Sequence, residues 1–152
     1  MKILVINGPN LNFIGIREKE IYGDQDYNYL VKTLNDKAKL KEIDLDLFQS
    51  NIEGEIINKI QKAYKDSIDG IVINPGAFTH YSYAIRDALA SIKCRKIEVH
   101  ITNVYKREEF RQKSVIAPVC DGQITGLGLQ GYYLAIEAII NMVNSGEAKE
   151  FV

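Results

Sequence analysis

Two short runs restrict this chain more than anything else in it. Lys2-Ile-Leu-Val-Ile-Asn7 and Gly70-Ile-Val-Ile-Asn74 are apolar at consecutive interior positions, and each runs into a Gly–Pro or Pro–Gly turn. A strand that is apolar on both faces must be covered on both, as the central strands of a parallel sheet are. The intervening segments supply the covers. Tyr27, Leu30, Val31, Leu34 and Ala38 recur at helical spacing behind Asp26, a candidate N-cap. Ser50-Asn-Ile-Glu53 has capping-box spacing ahead of Ile56, Ile57, Ile60 and Tyr64. Ala77-Phe-Thr-His80 leads into a third helix carrying Ala84, Ile85, Ala88 and Leu89. Ile43-Asp-Leu-Asp-Leu-Phe48 alternates as a half-exposed edge strand, 96–102 is a fourth strand, and 123–128 a weak fifth. A last helix covers 131–145; it is apolar nearly all round, as a face covered by another subunit would be. This alternation predicts an α/β fold: a flavodoxin-like, doubly wound, five-stranded parallel sheet with helices on both faces. The length suits one domain over residues 1–152.

Several function classes fall away. The formal net charge of −1, with no basic cluster interleaved with aromatics, provides no field for nucleic acid. Local positive groups would have to hold an anionic substrate. No run of apolar residues is long enough to span a membrane, and the N-terminus is interrupted too early for a signal peptide. Cys94 and Cys120 are isolated, which fits a reduced, cytoplasmic protein. His80 and His100 have no close Cys or carboxylate partners at metal-ligand spacing, so no metal site is expected.

The chemistry-bearing residues fall at the carboxyl ends of the strands, where ligands bind in open α/β sheets. Glu98-Val-His100 ends strand four, and Arg107 and Arg111, four apart on one face, follow it. A histidine beside two arginines can transfer a proton next to an anion. Strand one opens into a long connection, 8–26, of a length that usually forms a functional lid. Within it Tyr22 could act as a base if its pKa fell from ~10 towards neutrality, each unit requiring about 1.4 kcal/mol. Arg17, five residues away, could supply part of that by favouring the phenolate. Asn10 and Asn74, in strand-end turns, can donate to a developing oxyanion. Gly126-Leu-Gly128-Leu-Gln-Gly131 matches a dinucleotide fingerprint, but no strand follows to complete the binding unit. Those glycines are expected to allow close packing of the last helix instead.

In Ile6-Asn-Gly-Pro-Asn-Leu11, Arg17 to Gly23, Phe48-Gln-Ser-Asn51, Ile73-Asn-Pro-Gly-Ala77, Thr79-His80, Arg86-Asp-Ala-Leu89, Glu98-Val-His-Ile101 and Arg107-Glu-Glu-Phe-Arg111, the chain resembles the type II 3-dehydroquinate dehydratases over nearly its whole length. The resemblance implies a cofactor-free lyase that converts 3-dehydroquinate to 3-dehydroshikimate by anti elimination through an enolate. It makes Tyr22 the base, Arg17 the group that stabilises its phenolate, and His100 the acid, oriented by Glu98. Asn10 would help hold a water on the enolate. Asn74, His80, Ile101, Thr102 and Arg111 would bind substrate, with Arg107 in support. Asp87 would reach the site from a neighbouring subunit of a dodecamer of trimers. Lys19 stands where that family usually has proline, Thr102 replaces a common serine, Ile52 replaces a frequent histidine, and Tyr81 and Tyr83 are bulkier than usual. These departures bear on ligand preference more than on reaction type.

Overall fold

A computed structural model describes residues 1–16 and 25–146. Five parallel strands, Lys2–Asn7 (β1), Asp44–Gln49 (β2), Gly70–Asn74 (β3), Arg95–His100 (β4) and Gly122–Thr125 (β5), lie in the order β2-β1-β3-β4-β5. The helices are Tyr27–Leu40 (α1), Glu53–Lys65 (α2), Tyr83–Ala90 (α3) and Gln130–Asn144 (α4). The order reverses between β1 and β3, the switch point of a flavodoxin-like sheet, so a crevice opens there at the strands' carboxyl ends.

Alternation along each strand sends side chains to two separate cores. Ile3, Val5, Val72, Ile97 and Val99 face α1 and α4 through Leu30, Leu34, Tyr132, Ala135 and Ile139. Leu4, Ile6, Ile71 and Ile73 face α2 and α3 through Ile56, Ile60, Ile85 and Leu89. Each fully buried side chain of this size contributes about 1.5–3 kcal/mol. The two apolar runs are therefore the central strands, and β2, half-buried after an exposed Asp44, is an edge. The Asp26 carboxylate accepts from the Tyr29 amide and caps α1 as expected.

The structure corrects three local expectations. Ser50 and Glu53 form no capping box, because α2 starts two residues later with Ile52 at the N-cap. Ser50 Oγ accepts from the Ile52 amide instead, and Glu53 accepts from Ser82 Oγ at the start of α3. Tertiary packing draws Glu53 away from the local motif, while Ser50 stays with the neighbouring Ile52 and Glu55. Tyr64 is 70% exposed, and Ala63 takes the buried position on α2. On β4 the alternating polar residues Lys96, Glu98 and His100 are all buried. That strand also ends at His100, so Ile101 and Thr102 belong to the turn beyond it. In the 8–26 connection, residues Leu11–Phe13 form a single 3-10 turn.

Candidate active site

The crevice is assembled from three strand ends. β1 runs into Gly8-Pro9-Asn10 and β3 into Pro75-Gly76, and the two turns touch backbone to backbone. The Gly8 amide donates to the Asn74 carbonyl at 2.8 Å, and a Cβ on Gly8 would lie 2.3 Å from the Pro75 carbonyl oxygen. Only glycine allows that approach. Asn10 follows with φ of 67°, a left-handed conformation that asparagine adopts more readily than most residues, and its amide donates to Asn51 Oδ1 at 3.0 Å.

β4 contributes the titratable core. His100 Nε2 lies 2.6 Å from Glu98 Oε1. Glu98 is 0% exposed, and a buried carboxylate is tolerable only when its lone pairs are filled. Thr79 Oγ1 donates to Oε1, and Ser114 Oγ lies 2.8 Å from Oε2. Ser114 Oγ also accepts from the amides of Ile116 and Ala117, at 3.0 and 2.8 Å, which holds the segment covering β4 against the carboxylate. With Nε2–H engaged by Glu98, Nδ1 is the His100 nitrogen left to exchange a proton with a ligand.

His80 Nδ1 lies 2.8 Å from the Lys113 carbonyl. A carbonyl only accepts, so Nδ1 carries the hydrogen and Nε2 is the nitrogen left for a ligand. Phe110 packs edge-on to the same ring at 5.6 Å. Arg107 and Arg111 both reach Glu108, at 3.7 and 2.9 Å. A backbone hydrogen bond at Glu108, followed by Arg111, holds that carboxyl below its ordinary range. Arg107 Nη1 is also 3.4 Å from Thr102 Oγ1.

Asn10, Asn74, His80, His100, Ile101, Thr102, Arg107 and Arg111, all singled out from the sequence, line one cavity of about 300 Å³. Glu98 lies beneath it. Two imidazoles and two guanidinium groups in one cavity make it a receptor for an anion, even though the whole chain is close to neutral. Asp87 is not brought there: it is exposed on α3, outside the lining. Arg17 and Tyr22 lie outside the described residues. Among those described, no group of three or more His, Cys, Asp or Glu side chains is placed to hold a metal ion.

The glycine run serves the site's backbone and the last helix. Gly126, at φ of 88°, packs on Asn103, where a Cβ would come within 2.9 Å, and its amide donates to the His100 carbonyl at 3.1 Å. The Gly128 amide donates to the Ile101 carbonyl at 2.9 Å, and Gly131 brings α4 onto Val99. Sequence reasoning missed Ser114 and Tyr132. Ser114 has no local signal, and Tyr132 looks like any core aromatic until its hydroxyl partners are known.

Fold and crevice together define an α/β domain of the flavodoxin-like kind, equipped for proton transfer beside an anion. Residues 1–140 match the model of the family described as class II dehydroquinase. The chain belongs to that family. It is 71% identical over 142 residues to the 3-dehydroquinate dehydratase of Lachnoclostridium phytofermentans, covering 93% of this chain and 98% of that one. The type II dehydroquinase of Butyrivibrio crossotus superposes with a TM-score of 0.89 at 64% identity, covering 92% of this chain and 97% of that one. That of Propionibacterium acnes superposes at 0.84 with 38% identity, covering 92% and 98%.

Proposed function

We propose that the chain dehydrates 3-dehydroquinate to 3-dehydroshikimate, the elimination its relatives are named for, in the shikimate pathway or in quinate breakdown. The observation that carries this reading is the buried Glu98–His100 pair at the floor of a cavity that also holds Arg107 and Arg111. A carboxylate-bearing substrate would be held by the guanidinium side, with its hydroxyls on Asn74 and His80. The proton next to the substrate's ketone becomes removable only if the enolate is stabilised. Tyr22, as phenolate beside Arg17, takes the C2 proton. The C2–H electron pair enters the enolate, whose oxygen is held by a water on Asn10. When the enolate collapses, its electrons form the ring double bond and the C1–O bond breaks on the opposite face. The departing hydroxyl takes the His100 proton and leaves as water. Glu98 offsets the charge that His100 carries while doubly protonated and keeps the ring aimed. No step calls for a cofactor.

The residues flanking the segment that carries Arg17 and Tyr22 lie close together, and one of them belongs to the cavity. Gly15 lines the cavity, and a Cβ built there would lie 3.0 Å from the Asp26 Cα. That closeness supports placing the base over the substrate. Cys94 and Cys120, isolated in the sequence, support a reducing, cytoplasmic setting.

Mixing purified protein with 3-dehydroquinate tests the reaction. Ultraviolet absorbance from the conjugated enone is expected to rise without added cofactor, and a flat trace from folded protein would refute the activity. Tyr22→Phe is expected to lower kcat by about 100- to 10,000-fold while substrate still binds. Near-normal turnover in that variant would remove the tyrosine from the role of base.

A further inference from the structure

We propose that Tyr132 is a positioning residue for the elimination, fixing through its hydroxyl the orientation in which the Asn74 carboxamide meets the substrate. The inference rests on the substrate-binding role proposed for Asn74. Asn7 and Asn74 end β1 and β3 and are direct partners across the switch point. Tyr132, on α4, is completely buried and reaches between them from below the cavity. Its hydroxyl donates to Asn7 Oδ1 at 2.6 Å and accepts from Asn74 Nδ2 at 2.9 Å.

The direction of this chain of bonds is determined by its end. Asn74 Oδ1 accepts from the Gly76 amide at 3.2 Å, so the NH2 group must point to Tyr132. A hydroxyl has one proton, so Tyr132 then gives it to Asn7. Burial pushes the Tyr132 phenol above its ordinary pKa, which keeps the donor intact throughout the neutral range.

A carboxamide flipped by half a turn fills the same space but exchanges donor for acceptor. For a group that must sort substrate hydroxyls, such a flip is a functional error without a packing cost. Phenylalanine at 132 would bury the same ring without any polar group to satisfy. What the hydroxyl adds is a second restraint, through Asn7, on the polarity that the Gly76 amide sets for Asn74.

The test is a double-mutant cycle on kcat and KM, with Tyr132→Phe, Asn74→Ala and the pair. Tyr132→Phe is expected to raise KM and lower kcat/KM by about 3- to 10-fold, with kcat nearly unchanged, as loss of one well-aimed hydrogen bond would. In the Asn74→Ala background the same change is expected to have no further effect. A Tyr132→Phe enzyme with normal KM beside an impaired Asn74→Ala enzyme would overturn the positioning role alone, as would effects that multiply. An unimpaired Asn74→Ala enzyme would overturn the substrate-binding role beneath it, and the positioning role with it. If Tyr132→Phe fails to fold, Asn7→Ala takes its place in the cycle, with the same non-additivity expected and the same multiplication decisive against it.

Discussion

A carboxylate with no exposed surface has to find a donor for each oxygen, and Glu98 finds Thr79, Ser114 and His100. Glutamine at 98 keeps the size but carries an NH2 group where one of these donors needs an acceptor. The imidazole then loses the partner that selects its tautomer and balances its charge. Glu98→Gln is expected to lower kcat by about 100-fold with a much smaller change in KM, measured by steady-state kinetics on folded enzyme. A kcat within about twofold of the parent would show that His100 needs no such partner. Glu98 and His100 were legible in the sequence because they lie two apart at a strand end. Thr79 and Ser114 were not legible as its partners, since they come from loops 19 and 16 residues away in opposite directions.

Among the elements, the strand-end turns set the crevice. Gly8 lets β1 and β3 run out against each other, and Gly76, at φ of 58°, faces the Pro9 carbonyl oxygen from the other side. A methyl group on Gly8 would have to displace backbone, not a flexible side chain. Gly8→Ala is expected to cost about 1–3 kcal/mol of stability in urea titration and to lower kcat/KM by moving Asn10 and Asn74 apart. Unchanged stability and activity would mean that the turns can separate freely. The failed capping box shows the limit of motif reading at this scale. Ser50 and Glu53 have the right spacing, yet Ser50 bonds Ile52 and Glu55 while Glu53 is taken by the distant Ser82, and the helix starts elsewhere.

At the scale of the whole molecule, the chain leaves Asp87 exposed on α3, as it does Tyr81 and Tyr83, which are each 59% exposed. The family resemblance implies that this aspartate would serve a neighbouring subunit's site, in trimers that would assemble into a dodecamer. Asp87→Ala is then expected to shift sedimentation towards smaller species and to raise KM together. A fully assembled variant with unchanged KM would separate Asp87 from the site. α4 bears on the same question: Leu134 remains 41% exposed on a helix whose other face is core. Among the described residues no helix is long and apolar enough to cross a membrane.

The sequence by itself determined the strands, the helices, the sheet class and the edge at which the chemistry gathers. These follow from periodicity and from apolar runs, which act over a few residues and survive in any context that buries them. Only the tertiary structure decided which polar groups answer one another. Tyr132 meets Asn7 across 125 residues of chain, and Ser114 meets Glu98 across 16. No spacing rule encodes such pairs, because a buried polar group takes whichever partner the packed fold brings within reach.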